Sequence, residues 1–386
     1  MTSFQLPKGM RDLLPDEARA KRKLENMLMN KFYAWGYDEV VTPVLEYYEN
    51  LIPAETPEDQ FFKLIDRQGH ILALRTDMTT PIARMVANRF SLDDYPLKLF
   101  YLSNVFRYEN IQMGRQREFY QAGVEYIGMP GPAADAEVIA LAVECLRESG
   151  LNDFQISVGH RDFLRGVINQ LELEEEFQEQ LISAAWEKDY VALENLLHLC
   201  HGDADLKELI LSLPSLRGNM SIVKKAVKLI KNPIALAALE NLEEIYRLLK
   251  VYQANQPVFM DFGIVRDFDY YSGMVFEGYS PGIGAPICGG GRYDYLLGRY
   301  GLEAPATGFA IGLERLMLAL GKPQEKSFFL DYLVISEDLE EGIKKAQELR
   351  RSGFSVRIAE KTLGSLPQAK EVIELVKGDR DERNED

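Results

Sequence analysis

The chain has 386 residues, with 44 basic and 60 acidic side chains and a formal charge of −16. Hydrophobic residues make up 46% and charged residues 27%, a composition that excludes a disordered chain. No apolar run reaches the ~18 residues of a membrane span. The acid excess argues against a nucleic-acid wrapper, because phosphate binding rests on Lys and Arg. Cys145, Cys200 and Cys288 are far apart and form no CxxC pair, which argues against a disulfide framework or a zinc site. No metal or cofactor is expected. The Met1–Gln5 start lacks a basic region leading into an apolar stretch, so no signal peptide is expected and the expected compartment is the cytoplasm.

The periodicity predicts an amphipathic helix over 15–35, with Pro15 at its start, an apolar stripe of Leu24, Met27, Leu28, Phe32 and Trp35, and Gly36 at its end. Val40–Thr42 is expected as a strand that Pro43 stops. Further strands are expected at 71–75, 97–102, 117–127 and 154–159, with a helix at 133–149 before the last. From 161 to 250 the pattern is helical, with segments at 169–199 and 221–251. Strands return at 257–263, 271–279 and 285–288, ahead of Gly289-Gly290-Gly291. Residues 307–320 run from strand into helix. The last expected unit is strand 331–336, helix 338–352, strand 354–359 and helix 365–377, then a charged end. Strands on both sides of a helical stretch, with little βαβ alternation, predict an antiparallel α+β core. The expected organisation is a core of 1–160 and 252–322, a helical insertion at 161–251 and a small C-terminal α/β unit at 323–386.

Four segments carry chemistry. Phe106-Arg107-Tyr108-Glu109, with Gly114 to Gln121, places arginines between two strands, where a guanidinium can grip a carboxylate or phosphate; a solvated hairpin is the alternative. Gly308 to Leu316 puts glycines on a strand, where a flat group can approach the backbone. It then puts Arg315 in a first helical turn, a poor place for a cation. Val265 to Tyr271 sets two tyrosines beside Arg266 and carboxylates. Leu74-Arg75-Thr76-Asp77-Met78-Thr79-Thr80 offers a carboxylate and hydroxyls for an ammonium group, or an ordinary capping turn. His160 is expected to cap a turn, Cys288 to be buried, and Gly289–Arg292 to admit a ligand or form a tight bend.

Together these segments resemble class II aminoacyl-tRNA synthetases. The helix with the strand ending at Pro43 looks like motif 1, the arginine hairpin like motif 2, and the glycine strand ending in Glu314-Arg315 like motif 3. Pro7-Lys8-Gly9-Met10-Arg11-Asp12-Leu13-Leu14-Pro15 and Arg266…Tyr270-Tyr271 narrow the likeness to the histidyl-tRNA synthetase branch. That branch has a regulatory side line, the regulatory subunits of ATP phosphoribosyltransferase.

Two features favour the regulatory line. Only 71 residues follow Arg315, too few for the complete anticodon-binding domain of a synthetase. The synthetase pattern Leu-Arg-Pro-Glu-Gly-Thr is here Leu74-Arg75-Thr76-Asp77-Met78-Thr79. Asp267 and Tyr108 also replace a glycine and a histidine. Small misplacements of this kind matter most for catalysis.

The resemblance implies no catalysis by this chain alone. It implies a hetero-octamer with a short-form catalytic subunit, self-dimerisation through motif 1, no tRNA, and L-histidine as inhibitory effector. The implied histidine site is Asp77, Thr79, Gln121 and Glu125 on the ammonium side, Arg107 and Arg266 for the carboxylate, and Tyr270 and Tyr271 facing the imidazole. Arg107, Glu109 and Arg315 are the implied vestige of an ATP site. An active synthetase with a cut-down tail is the competing expectation.

Overall fold

The helix Pro15–Ala34 follows from its sequence: Pro15 occupies its first position, Glu17 reaches back to the Leu14 N–H, and Leu24, Leu28 and Phe32 fall on one buried face. Each such burial is worth about 1.5–3 kcal/mol. The structure is a computed structural model; it describes residues 5–52, 57–108, 116–201, 203–219, 230–264, 270–321, 330–359 and 368–375. Contacts divide it into two units, Met1–Leu320 and Gly321–Asp386.

The first unit contains β1 (Asp38–Glu39), β2 (Leu45–Tyr47), β3 (Lys63–Ile65), β4 (Ile71–Leu74), β5 (Leu97–Phe106), β6 (Glu118–Ile127), β7 (Gln155–His160), β8 (Arg217–Gly218), β9 (Val258–Asp261), β10 (Met274–Tyr279), β11 (Cys288–Arg292) and β12 (Ala306–Gly312). Nine of these form one sheet in the order β1-β5-β6-β12-β11-β10-β7-β9-β8. The run from β5 to β7 is antiparallel throughout, as the α+β reading expects. The β1–β5 and β7–β9 pairs are parallel, so the whole sheet is mixed.

Strand alternation gives this sheet two different faces. On β6, Ala122, Val124 and Tyr126 pack into the main core with helices Pro15–Ala34, Pro132–Glu148 and Pro233–Val251. The opposite side carries a smaller core of Met78, Ile82, Tyr101, Tyr270, Tyr271 and Tyr293. The candidate site opens on that second face.

The helical stretch divides more finely than its periodicity predicts. Helices span Arg161–Asn169, Glu175–Trp186, Tyr190–Leu199, Ala204–Ser212 and Pro233–Val251. The 169–199 segment is interrupted because Glu172 and Lys188 adopt positive φ, which ends a right-handed helix. His160 caps the first of these helices, its Nδ1 accepting the Asp162 N–H at 3.2 Å. Burial lowers its pKa to about 4, so the ring is neutral and able to accept.

Val40–Pro43 forms no strand, against expectation. Pro43 has no N–H to donate, and the Thr42 and Pro43 carbonyls accept from the Arg75 guanidinium at 2.8 and 3.3 Å instead of from a neighbouring strand. The strand expected at 71–75 is β4, which lies in a separate three-stranded sheet ordered β2-β4-β3.

The second unit holds β13 (Leu330–Ser336), helix Leu339–Arg351, β14 (Val356–Ala359) and β15 (Ala369–Leu375). Its three strands are parallel in the order β14-β13-β15. The helix expected at 365–377 is therefore a strand over its described part. Lys and Glu favour a helix locally, but Ala369–Leu375 pairs with the free edge of β13, and that ladder overrides propensity. The charged end, 376–386, lies outside the described residues. Among the described residues no helix is long and apolar enough to cross a membrane.

Candidate functional site

The site begins with side-chain size. Opposite β6, strand β12 sets Gly308 against Glu125, Ala310 against Gly123 and Gly312 against Gln121. The next strand sets Gly289 against Ala310. Gly308, Ala310, Gly312 and Gly289 project almost nothing, and they line a cavity of about 290 Å³. Gly308 is required sterically, because a Cβ there would collide with Glu125 Oε2 and the Val124 carbonyl. The glycine cluster Gly289–Arg292 is not a tight bend, and its Gly289 lines the cavity. It is a buried central strand whose glycines permit close strand and side-chain packing.

Around this floor the structure gathers Asp77, Thr79, Arg107, Gln121, Glu125, Tyr270, Tyr271 and Arg315, all lining the one cavity. Arg266 and Glu109 lie outside the described residues, as do Asp267 and Arg115. Thus four separated stretches of sequence converge, carried by the turn before helix Thr79–Arg89, by β5 and β6, by the segment entering β10, and by the β12–helix junction.

Asp77 begins the helix Thr79–Arg89. Its Oδ1 accepts the Thr80 N–H at 2.8 Å, and its Oδ2 accepts the hydroxyls of Thr80 and Thr76 at 3.2 and 3.3 Å. The capping turn and the pocket edge are therefore the same residue. Beside it, Thr79 donates its hydroxyl to Glu125 Oε1 at 2.8 Å. Tyr293 donates to the other carboxyl oxygen. Glu125 is buried, and desolvation pushes its pKa up to about 8 against the pull of these two donors. At neutral pH it is mostly a neutral acid.

The other walls are cationic and aromatic. Arg107 donates Nε–H to the Thr76 carbonyl at 2.9 Å and lies over the Phe119 ring. Arg315 donates to the Pro286 carbonyl at 2.8 Å. Next to it, Glu314 accepts the Tyr120 N–H with both oxygens, tying the helix Leu313–Leu320 to β6. Tyr270 and Tyr271 pack ring to ring at 4.9 Å, and Tyr293 meets Tyr270 edge-on at 5.9 Å. The arrangement combines a buried acid, guanidinium groups and an aromatic wall in one cavity. Such a set fits a small zwitterion with a flat polar side chain.

Sequence reasoning overlooked Tyr293, and it quoted Glu314 and Arg75 within their motifs without giving either a role. Tyr293 directly follows the glycine strand and Arg292, which was the available signal. Arg75 is fully buried and donates to Thr42, Pro43, Ser103 and Asn104. It joins the segment before β2, the Asp77 turn and the end of β5.

This combination of sheet, glycine floor and cavity is that of a histidyl-tRNA-synthetase-like protein. The family model "Histidyl-tRNA synthetase" matches residues 9–316. A histidyl-tRNA synthetase from Nostoc sp. superposes with a TM-score of 0.78 at 23% identity, over 94% of this chain and 87% of that one, which shows the shared fold. Nearer relatives are more particular. A protein named ATP phosphoribosyltransferase regulatory subunit from Moorella thermoacetica is 46% identical over 92% of this chain and 91% of its own. One of the same name from Desulforamulus reducens is 46% identical over 91% and 89%. A solved structure from Bacillus halodurans, titled ATP phosphoribosyltransferase regulatory subunit/histidyl-tRNA synthetase, has a TM-score of 0.86 at 35% identity, covering 96% of this chain and 98% of that one. The chain belongs to the family of ATP phosphoribosyltransferase regulatory subunits.

Proposed function

We propose that this chain is a non-catalytic regulatory subunit of ATP phosphoribosyltransferase, which joins a short-form catalytic subunit in the first step of histidine biosynthesis. Its effector is L-histidine, bound in the cavity between Glu125 and the arginines. The observation that carries this is the convergence of Thr79, Gln121, Glu125, Arg107, Tyr270 and Tyr271 on one cavity, in a chain 46% identical to proteins bearing that name. The ammonium group meets Glu125, Thr79 and Gln121, with Asp77 adding its charge while it caps the helix. Arg107 and Arg266 take the carboxylate, and the tyrosines face the imidazole.

Feedback needs only a difference in histidine affinity between two states of the complex, and a coupling of about 1–3 kcal/mol suffices. Arg107, Glu109 and Arg315 are the remnant of an ATP site. The subunit works in the cytoplasm, without tRNA, in a hetero-octamer whose core is a pair of regulatory chains. The pairing runs through motif 1 and extends to the small sheet that follows it in the chain, where Val41 of motif 1 and Leu45, Tyr47, Leu64, Ile65 and Ile71 of the sheet are each exposed. Apolar exposure on motif 1 and on the sheet that follows it is what an association surface offers. The segment 161–251 is an insertion into the synthetase-like core, and 323–386 is a reduced C-terminal unit.

The deciding experiment adds this chain to the catalytic subunit and titrates histidine. Restored phosphoribosyl transfer, inhibited by histidine and relieved by Gln121→Ala or Arg266→Ala, is expected. Unchanged inhibition in both variants removes histidine from this cavity. Robust histidine-dependent ATP–pyrophosphate exchange by the chain alone overturns the regulatory reading in favour of an active synthetase.

A further inference from the structure

The cavity holds a further polar group, outside the four chemistry-bearing segments. Tyr101, in the middle of β5, lines it and is only 2% exposed. Its place follows from strand alternation. On β6, Gln121, Gly123 and Glu125 share one face, and Gly123 stands beside Tyr101 in the ladder. Gly123 leaves a gap between the amide and the acid, and the Tyr101 ring fills it. A Cβ at Gly123 would collide with the Tyr101 Oη and Cζ. The ring therefore lies across β6 with its hydroxyl end over Gly123, between Gln121 and Glu125.

Packing alone does not explain a tyrosine here. A phenylalanine fills the same space without a hydroxyl to bury, and a buried hydroxyl that makes no hydrogen bond costs stability. Two other hydroxyls of the cavity are committed, since Thr79 and Tyr293 both donate to Glu125. The Tyr101 hydroxyl has no hydrogen-bond partner among the described residues. Burial raises its pKa well above the ordinary value, and of its charged neighbours Glu125 and Asp77 outweigh Arg107. The phenol therefore stays protonated, on the acidic side of the cavity, with an oxygen able to accept.

We propose that the Tyr101 hydroxyl is a ligand contact whose oxygen accepts one N–H of the L-histidine ammonium group between Gln121 and Glu125. This rests on the histidine reading of the cavity and adds to it a residue that selects an amino acid over its analogues without an amino group. The ammonium carries three N–H donors that need acceptors on different sides, and Tyr101 supplies one from the floor. Gly123 is the condition for this contact, because any side chain there would displace the ring.

The test is calorimetric titration of the full-length chain with L-histidine, wild type against Tyr101→Phe, with the Tm of each free protein. The substitution removes a hydroxyl that no protein group uses, so it does not lower the Tm of the free chain. It weakens histidine about tenfold, in keeping with the loss of one hydrogen bond to a charged group. Imidazolelactate, in which a hydroxyl replaces the ammonium, is measured by competition with histidine, and there the penalty of Tyr101→Phe shrinks below about threefold. Equal histidine affinity in wild type and variant overturns the contact and leaves the histidine reading standing; a lower Tm with equal affinity assigns Tyr101 to packing and overturns it too. An undiminished penalty with imidazolelactate overturns the ammonium assignment. Failure of the wild type to bind histidine overturns the reading of the cavity itself, and this contact with it.

Discussion

On the proposed reading, the neutral acid lining the cavity makes histidine affinity depend on pH through Glu125. Its pKa of about 8 leaves only about one carboxyl in eleven ionised at pH 7. An ammonium group bound beside it requires the ionised form, so binding must expel the proton. The affinity attributable to this residue then rises about tenfold, or ~1.4 kcal/mol, from pH 6 to 7, and levels off above 8. Glu125→Gln removes that slope. Calorimetry with histidine at pH 6, 7, 8 and 9, taken as the ratio of wild type to variant, cancels the titration of histidine itself. Repeating the pH 7 titration in buffers of different ionisation enthalpy should show release approaching about one proton per site. A flat ratio across this range, or no proton release, would refute the reasoning.

The same residue makes a signed stability prediction. Its folded pKa lies above the ordinary value of 4.5, so the folded chain keeps the proton longer. The stability linked to it is complete below pH 4.5 and is lost as pH rises toward about 8. The Tm advantage of Glu125→Gln over wild type should therefore grow from pH 5 to 8.

Four other substitutions test the architecture. Gly308→Ala forces a methyl group against Glu125 and the Val124 carbonyl, and should cost about 1–3 kcal/mol by urea denaturation while abolishing histidine binding. Arg75→Met orphans the Thr42, Pro43 and Asn104 carbonyls in two segments at once and should cost about 3 kcal/mol, together with loss of both histidine affinity and self-association. Ile65→Asp and Val41→Asp change side chains that are 77% and 82% exposed. They should leave the Tm of the isolated chain within about 1 °C yet convert dimers to monomers in sedimentation velocity; persistence of dimers would remove the small sheet from the interface.

Most of the long elements were legible because their periods are strong. The stripe of the first helix defines one buried face, and the β-favouring composition of 117–127 and 154–159 marks strands that the sheet contains. Legibility failed where a local preference met a tertiary competitor. Val40–Pro43 has the residues of a strand, but its carbonyls go to Arg75. Ala369–Leu375 has the residues of a helix, but the open edge of β13 captures it. The helical stretch broke at Glu172 and Lys188, residues that carry no breaker signal of their own.

The cavity's residues were nameable from sequence because four motifs keep their order and spacing along the chain, and that order is a property of the sequence alone. What those residues do to one another is not. Asp77 accepts the Thr80 N–H with one oxygen and two hydroxyl groups with the other, Tyr293 arrives from the end of a distant strand, and Glu125 holds its proton to about pH 8 because burial outweighs the two hydroxyl groups that donate to it. Desolvation depends on everything packed around a group, so a pKa, unlike a motif, belongs to the folded chain. The linear order specified which side chains meet, and only the tertiary packing decided their protonation, their partners and the small-residue floor that leaves room for a ligand.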